Sequence, residues 1–456
     1  MTSGVQDRPN TTAPSEAERP AEAERPARAR LPWPSRLIVE TSSRCNLSCA
    51  MCPRQSGGMA SSEGDLSEAD FAALAPAFPR LESLVLNGLG EPLLHPLLET
   101  FVRRARDLMP DSASIGFQTN GLLMDRAKAE ALVAAGLDRV CVSLDALDEK
   151  LYAGIRSGGE LDRAIDALDA LAAARAALGR PEFRIGIEFV ARRDNLDELG
   201  RLVRWAAGRG LDFMIVSQLF PYDKSSVGLA AYHPSLDLAT RLRADYEARG
   251  AALGLDIGRY PDIYMKYEKT AAELAIVRLV GEMQDEAISR GITLNVERLL
   301  GLDLAIVDRA RLAFAQAEAV ARDAGMQIEL PAAEPRSLRS CEFVEGGSAF
   351  VSWDGAVHPC YFLWHRYDCH VGGYEQRVAP RRFGSLSERG ILDIWNDVAF
   401  ATFRADVLGY DYPFCLNCNL ALCDYVQLEP FTQDCHINAE PCAACLWCMG
   451  LFRCMY

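Results

Sequence analysis

Three cysteines crowd the stretch "TSSRCNLSCAMCPR", which runs from Thr41 to Arg54: Cys45, Cys49 and Cys52, spaced C-x3-C-x2-C. No fourth ligand stands nearby. Zinc and most iron–sulfur centres take four protein ligands. Three thiolates on a tight loop can instead hold three irons of a cubane cluster and leave the fourth iron open. An open position on a metal normally serves substrate chemistry. A zinc ion completed by a distant residue is the alternative reading.

The chain holds 15 cysteines, and eleven of them fall between Cys341 and Cys454. Without an export signal, so many cysteines point to metal or redox work rather than structural disulfides. Cys341, Gly355 and Cys360 are separated by thirteen and four residues. Between them "FVSWDGAVHPC" reads as a hairpin turning at Asp354-Gly355, which folds Cys360 back toward Cys341. Cys415, Cys418 and Cys423 follow as C-x2-C-x4-C, then Cys435, Cys442, Cys445, Cys448 and Cys454. Two four-cysteine clusters need eight ligands, so three thiols are surplus. Structural zinc is the alternative here too, because Cys-x2-Cys pairs serve both metals. Cys141, alone in "DRVCVSL", reads as a small hydrophobe in a buried strand.

The elements that must position these thiols follow from the apolar pattern. Between Ser35 and Ser217 six short apolar runs alternate with helical stretches. The runs are Arg36–Thr41, Ser83–Gly88, Ala113–Gln118, Arg139–Leu144, Arg184–Val190 and Phe213–Gln218. In "ELDRAIDALDALAAARAAL" Leu161, Ile165, Leu168 and Leu171 recur at helical spacing. Strand–helix alternation predicts an α/β fold, a partial (β/α)6 parallel barrel whose site forms after the strands' C-terminal ends. The opening cysteines follow the first strand directly. Residues 1–32, rich in Ala, Pro, Glu and Arg, read as a disordered tail, and 33–232 as the catalytic core. Residues 233–339 read as a mostly helical insertion, and 340–456 as a small Cys-rich metal-cluster domain.

The chain has 456 residues, 49% hydrophobic and 24% charged, with formal net charge −15. That composition excludes a phosphate-tracking nucleic-acid binder, which needs a basic excess. No apolar run approaches the ~20 residues that span a bilayer, and the tail lacks the apolar segment of a secretory signal. A cytoplasmic protein is expected.

"CNLSCAMC" resembles the cysteine motif of radical S-adenosylmethionine (radical SAM) enzymes. "NGLGEP" (Asn87–Pro92) resembles the family's Gly-Gly-Glu motif, with Leu89 interrupting the glycine pair, and "QTNG" (Gln118–Gly121) and "VSLDA" (Val142–Ala146) match the ends of later strands. The resemblance implies that Cys45, Cys49 and Cys52 hold a [4Fe-4S] cluster and that S-adenosylmethionine chelates its open iron. One-electron cleavage would then yield a 5′-deoxyadenosyl radical. It also implies cofactor contacts at Gly88, Gly90, Glu91, Thr119, Asn120, Ser143, Asp145 and Arg156, with Ser143 and Arg156 on the methionine carboxylate. Met51 stands where the family often has an aromatic.

The C-terminal cysteines, with "GSLSERGILDIWND" (Gly384–Asp397), resemble the SPASM domain, an auxiliary-cluster module. That resemblance implies one cluster on Cys341 and Cys360 and a second on Cys415, Cys418 and Cys423. Cys435, Cys442, Cys445 and Cys454 are candidates for the remaining places, with Cys369 and Cys448 left as free thiols. Tyr361 replaces the aspartate that serves as base in sulfatase-maturating relatives, and a tyrosine does not readily take a proton at neutral pH. His358 reads as a surface or packing residue. Asp145, Glu188 and Gln218 lie near strand ends that could face substrate.

The expected function is radical modification of a peptide or protein, in natural-product or metalloenzyme maturation, with a reductant such as flavodoxin or ferredoxin. Chemistry on a small metabolite is the second reading. A non-catalytic iron–sulfur carrier is the third, although a carrier needs no open iron.

Overall fold

The computed structural model describes residues 27–56, 59, 62–418 and 432–455. All six expected strands form: β1 (Arg36–Val39), β2 (Ser83–Val85), β3 (Ser114–Thr119), β4 (Arg139–Ser143), β5 (Arg184–Ala191) and β6 (Phe213–Gln218). They pair in sequence order, all parallel. Helices connect them, and the apolar residues of each strand face those helices. Leu37, Leu84, Phe117, Val140, Val142, Ile187, Phe189 and Val216 are all fully buried.

The opposite face is polar. Cα partners across a parallel ladder share a face, and side chains alternate along each strand. Gln118 pairs with Cys141, and Ser143 with Glu188. One row therefore carries Gln118, Cys141, Ser143 and Glu188. Gln218 pairs with Ala191, which puts it on the face opposite Glu188. Its side-chain amide donates to the Ala332 carbonyl at 3.2 Å, so the substrate-facing role expected of Gln218 is not borne by this geometry.

Two further segments extend the sheet. β7 (Gln327–Glu329) pairs parallel with β6. The expected hairpin forms as β8 (Ser348–Val351) and β9 (Ala356–His358), turning at Gly355 with φ +76°. β8 pairs parallel with β1 over four residues. The Cys-rich region is thus built onto the core sheet along β1. β10 (Tyr367–Val371) and β11 (Tyr374–Val378) form a separate antiparallel pair, and β12 (Gly384–Ser385) pairs with β9.

The described chain falls into two compact units. One holds Ser235–Leu302 with residues 414–418, and helices dominate it: Asp237–Ala252, Tyr260–Tyr264, Ala271–Ser289 and Val296–Leu300. Thr270 and Glu273 close a capping box at the start of the third helix. The other unit holds the sheet and the remaining described residues. The helix Ala305–Asp323 and β7, read from sequence as part of the insertion, belong to this second unit. The helical pattern was legible, but local periodicity does not say which body a helix packs on.

Residues 27–32, expected at the end of a disordered tail, are ordered. Ala27–Arg30 forms a 3-10 turn. The Ala29 carbonyl accepts from Arg404 Nε at 2.9 Å, and the Leu31 carbonyl from Trp395 Nε1 at 2.8 Å. Long-range partners supply what the local composition lacks. No helix among the described residues is long and apolar enough to cross a membrane.

Glu40 binds these parts together at the end of β1. Its carboxylate is fully buried. It accepts from Leu89 N at 2.7 Å, Trp353 N at 3.2 Å and His365 Nε2 at 3.0 Å. Removing it leaves one buried and two half-buried donors unpaired. Glu40→Ala is expected to cost ~1–3 kcal/mol of stability, the range for leaving buried hydrogen-bond donors without a partner. Glu40→Gln should restore part of that. Chemical denaturation of both variants measures it.

Candidate active site and metal centres

The loop after β1 carries Cys45, Cys49 and Cys52 without a ladder of its own. Its polar backbone groups therefore need other partners, and neighbouring loops supply them. Gly90 N donates to the Ser42 carbonyl at 3.1 Å and Glu91 N to the Arg44 carbonyl at 2.7 Å. Ser48 N donates to the Ser157 carbonyl at 3.1 Å. Within the loop, Cys52 N donates to the Cys49 carbonyl at 3.0 Å. Gly90 permits this docking because it has no Cβ. A Cβ there would lie 2.2 Å from the Ser42 carbonyl oxygen and 2.4 Å from that of Arg44.

Glu91 fastens the next strand to the same assembly. Its carboxylate accepts from Thr119 Oγ1 at 2.6 Å, from Asn120 N at 2.8 Å and from Leu93 N at 3.1 Å. Burial raises its pKa against the pull of those donors. Asn120 then reaches the cysteine loop, with Nδ2 2.8 Å from Asn46 Oδ1 and 3.9 Å from Cys45 Sγ. Gly90, Glu91, Thr119 and Asn120 thus converge beside the first cysteine, while Gly88 packs against Glu40. The Glu91 side chain spends its oxygens on the protein, so it positions the loops.

On the polar face, Arg156 Nε pairs with the fully buried Asp145 at 2.6 Å. Burial works against the guanidinium charge, but Asp145 and the nearby Cys49 thiol outweigh it and raise the Arg156 pKa. Ser143 Oγ lies 3.4 Å from Glu188 Oε2. Burial raises the Glu188 pKa, Arg156 opposes the rise and Asp145 adds to it. Asn87 Nδ2 donates to Gln118 Oε1 at 2.7 Å and lies 3.4 Å from Tyr361 Oη. A continuous polar row therefore runs from Asn87 through Gln118 and Ser143 to Glu188, next to the cysteine loop.

The thiols of that loop are held in low dielectric. Burial pushes Cys52 up to about 11 and raises Cys45. Metal ligands must be deprotonated, so iron would replace protons that burial otherwise retains. Three thiols on one loop, with an arginine and hydrogen-bond donors around them, fit a cluster bound by three cysteines.

The chain's end reaches the polar face. Gln218 N donates to the Leu451 carbonyl at 3.1 Å and Arg453 N to Ser217 Oγ at 3.3 Å. Desolvation pushes the half-buried Cys454 up to about 12, with Glu188 adding to the rise. Cys454, expected among the auxiliary ligands, therefore sits within electrostatic reach of Glu188.

A second thiol centre is a cavity lined by Cys341, Cys360, Cys442, Cys445 and Cys448. The hairpin does bring Cys360 back to Cys341. Cys448, read from sequence as a free thiol, lines the same cavity, because the turn at Pro441–Ala444 and the residues after it curl the C-x2-C-x2-C stretch around it. Cys369 is buried on β10 and contacts Gln376 Oε1 at 3.9 Å. His358 is a packing residue: Nδ1 lies 3.0 Å from the Arg381 carbonyl, and burial lowers its pKa to about 4. Cys435 is exposed.

Cys415 and Cys418 flank a short turn in the helical unit. Asn417 pins that turn. Its Oδ1 accepts from Leu236 N at 2.8 Å, its Nδ2 donates to Ser235 Oγ at 3.1 Å, and its carbonyl accepts from Asn295 N at 3.1 Å. Cys423 lies outside the described residues. Among the described residues, no three Cys, His, Asp or Glu side chains converge as tightly as a single ion requires.

Sequence reasoning missed Glu40 and Cys448. The signal for Glu40 was a lone acid ending an apolar strand immediately before the cysteines. Cys448 offered only its spacing.

Two family models match the chain. The radical SAM superfamily model matches residues 39–206, and the SPASM iron–sulfur cluster-binding domain matches residues 341–419. Over 424 residues the chain is 27% identical to the tungsten-containing aldehyde ferredoxin oxidoreductase cofactor-modifying protein of Pyrococcus furiosus, covering 92% of this chain and 96% of that protein. Over 245 residues it is 28% identical to a probable GTP 3′,8-cyclase of Methanocella arvoryzae, covering 54% of this chain and 73% of that protein. The crystal structure of Streptococcus suis SuiB superposes with a TM-score of 0.49 at 16% identity, covering 82% of this chain and 68% of that one.

Gly90→Ala forces a methyl group against two carbonyls that cannot turn aside. It is expected to destabilise by at least about 1–3 kcal/mol, as overpacking does, and to lower production of 5′-deoxyadenosine. Gly154→Ala, where a Cβ meets nothing within 4 Å, should leave both unchanged. Thermal unfolding and product assay of the two variants make the comparison.

Proposed function

We propose that this chain, a radical SAM enzyme with a SPASM domain, matures a metalloenzyme by modifying a polypeptide or the cofactor that the polypeptide will hold. The observation that carries this reading is the nearly end-to-end similarity to a protein named for modifying the cofactor of a tungsten enzyme. That likeness spans both metal regions and the helical segment between them. The similarity to GTP 3′,8-cyclases supports a small-metabolite reading, but it covers about half of this chain.

Cys45, Cys49 and Cys52 would hold the cluster that binds S-adenosylmethionine. That pair supplies, on reduction, the power to take a hydrogen atom from an unactivated carbon. The chain's own residues do the rest. Gly88 and Gly90 keep backbone close to the cofactor, and Glu91 fixes the loops that present it. Arg156, held by Asp145, offers positive charge to a carboxylate. Asn87, Gln118, Ser143 and Glu188 give a bound substrate donors and acceptors at fixed places, which orients the reacting bond. Tyr361 closes this row from the Cys-rich side, packed against Phe350 and Trp364 at ring distances of 5.5 Å and 4.9 Å. Such packing excludes water from the site.

The test incubates the reduced holoenzyme with S-adenosylmethionine and each protein encoded beside it. Mass spectrometry then reads the polypeptides and any cofactor they release. A polypeptide or its cofactor should change mass, and deuterium placed at the reacting carbon should appear in 5′-deoxyadenosine. Turnover driven by GTP or another free metabolite, with every polypeptide unchanged, would overturn the reading.

A further inference from the structure

The helix Ala305–Asp323 lies outside both family matches. It packs against the helix Leu196–Gly208 on the outer side of the sheet. An open groove runs between the two, lined by apolar Leu196, Leu312 and Val320 and by Arg201, Arg204 and Arg309. Of the charged side chains lining it, three are arginines and one, Asp197, is an acid. That balance is the reverse of the whole chain, whose formal net charge is −15. We propose that this groove docks an acidic one-electron carrier protein, which reduces the cluster on Cys45, Cys49 and Cys52. The inference rests on the radical SAM chemistry of the chain and stands whatever the enzyme modifies.

The step itself is simple. The reduced carrier gives up one electron and the oxidised cluster gains it. No bond forms or breaks, and no proton moves. Cleavage of S-adenosylmethionine then consumes that electron.

The chemistry of the groove selects the partner. Arg201 pairs with Glu198 and Arg309 with Asp197, each at 2.5 Å. Arg204 is exposed and has no hydrogen-bond or ion-pair partner among the described residues. Leu312 beside it is 59% exposed. An apolar centre with an arginine rim is the usual make-up of a protein-binding surface. Electron carriers dock over small areas and dissociate quickly, which suits one short groove. An acidic chain repels an acidic carrier over most of its surface, so a local basic site steers the encounter.

The position of the groove selects the purpose. The helix Leu196–Gly208 follows β5, so its first turn lies at the end of the sheet where the cysteine loop sits. Asn195, directly before Leu196, donates from Nδ2 to the Asp145 carbonyl at 3.2 Å. The Asp145 carboxylate accepts from Arg156 Nε at 2.6 Å. The next residue, Ser157, accepts at its carbonyl from Ser48 N at 3.1 Å, and Ser48 precedes Cys49. Three hydrogen bonds and the covalent chain between them therefore join the groove to a cluster ligand. The cysteine loop is itself partly exposed, but its arginines are taken: Arg44 pairs with Asp65 and Arg54 with Glu63.

The test compares the reconstituted full-length enzyme with its Arg204→Glu/Leu312→Asp variant. Both side chains are exposed, so the fold has no reason to change. Reduced flavodoxin and reduced ferredoxin are the protein probes, and dithionite, which needs no docking surface, is the small one. The dissociation constant of each carrier is measured along with 5′-deoxyadenosine. At low salt the variant should bind the carriers about tenfold more weakly and turn over about tenfold more slowly with them. Its rate with dithionite should be unchanged. High salt should shrink the difference, because it screens exposed charges. Arg204→Lys, which keeps the charge, should bind as the wild type does. The proposal is overturned if neither carrier binds the wild type more tightly than the variant, or if the dithionite rate falls as far as the carrier rates.

Discussion

A loop that presents three thiols to one metal centre cannot be regular structure, and this constraint shapes the rest of the molecule. Helix and strand satisfy their own backbone groups, whereas a loop of this kind must borrow partners. Here the borrowing is done by backbone from the loop after β2 and from Ser157, at distances between 2.7 and 3.1 Å. Gly90 makes the closest approach possible. Glu91 then spreads the constraint to β3 through Thr119 and Asn120. Gly90 and Glu91 follow the C-terminal end of β2, and Thr119 and Asn120 lie at that of β3, where an α/β sheet naturally gathers its loops.

The same economy governs the Cys-rich region. A small metal module has little core of its own, and this one leans on the sheet instead. β8 extends the sheet beside β1, and Glu40 joins the first strand to Trp353 and His365. The residues after Gly450 return to Ser217 and Gln218. The two metal regions of this unit are therefore built on one hydrogen-bonded framework.

Much of this was legible in the sequence. The six core strands, the hairpin turning at Gly355 and the helical character of the middle segment all follow from local pattern, because alternation and turn chemistry are local properties. The pairing of β8 with β1, the ordering of residues 27–32 by Trp395 and Arg404, and the transfer of Ala305–Asp323 to the sheet-bearing unit depend on partners hundreds of residues away or on packing. No local window contains them. The thiols show the same divide. Spacing marked Cys45, Cys49 and Cys52 as a set and brought Cys360 to Cys341. It could not tell Cys448, which turns into the cavity, from Cys454, which passes on to Glu188.

Radical chemistry in this chain is expected to begin at the three-cysteine loop and nowhere else. This is tested most directly by replacing Cys45, Cys49 and Cys52 together with Ala and measuring 5′-deoxyadenosine under dithionite, alongside iron content. Cleavage of S-adenosylmethionine should disappear, with about four irons lost and the auxiliary iron kept. Continued formation of 5′-deoxyadenosine by the triple variant would contradict it.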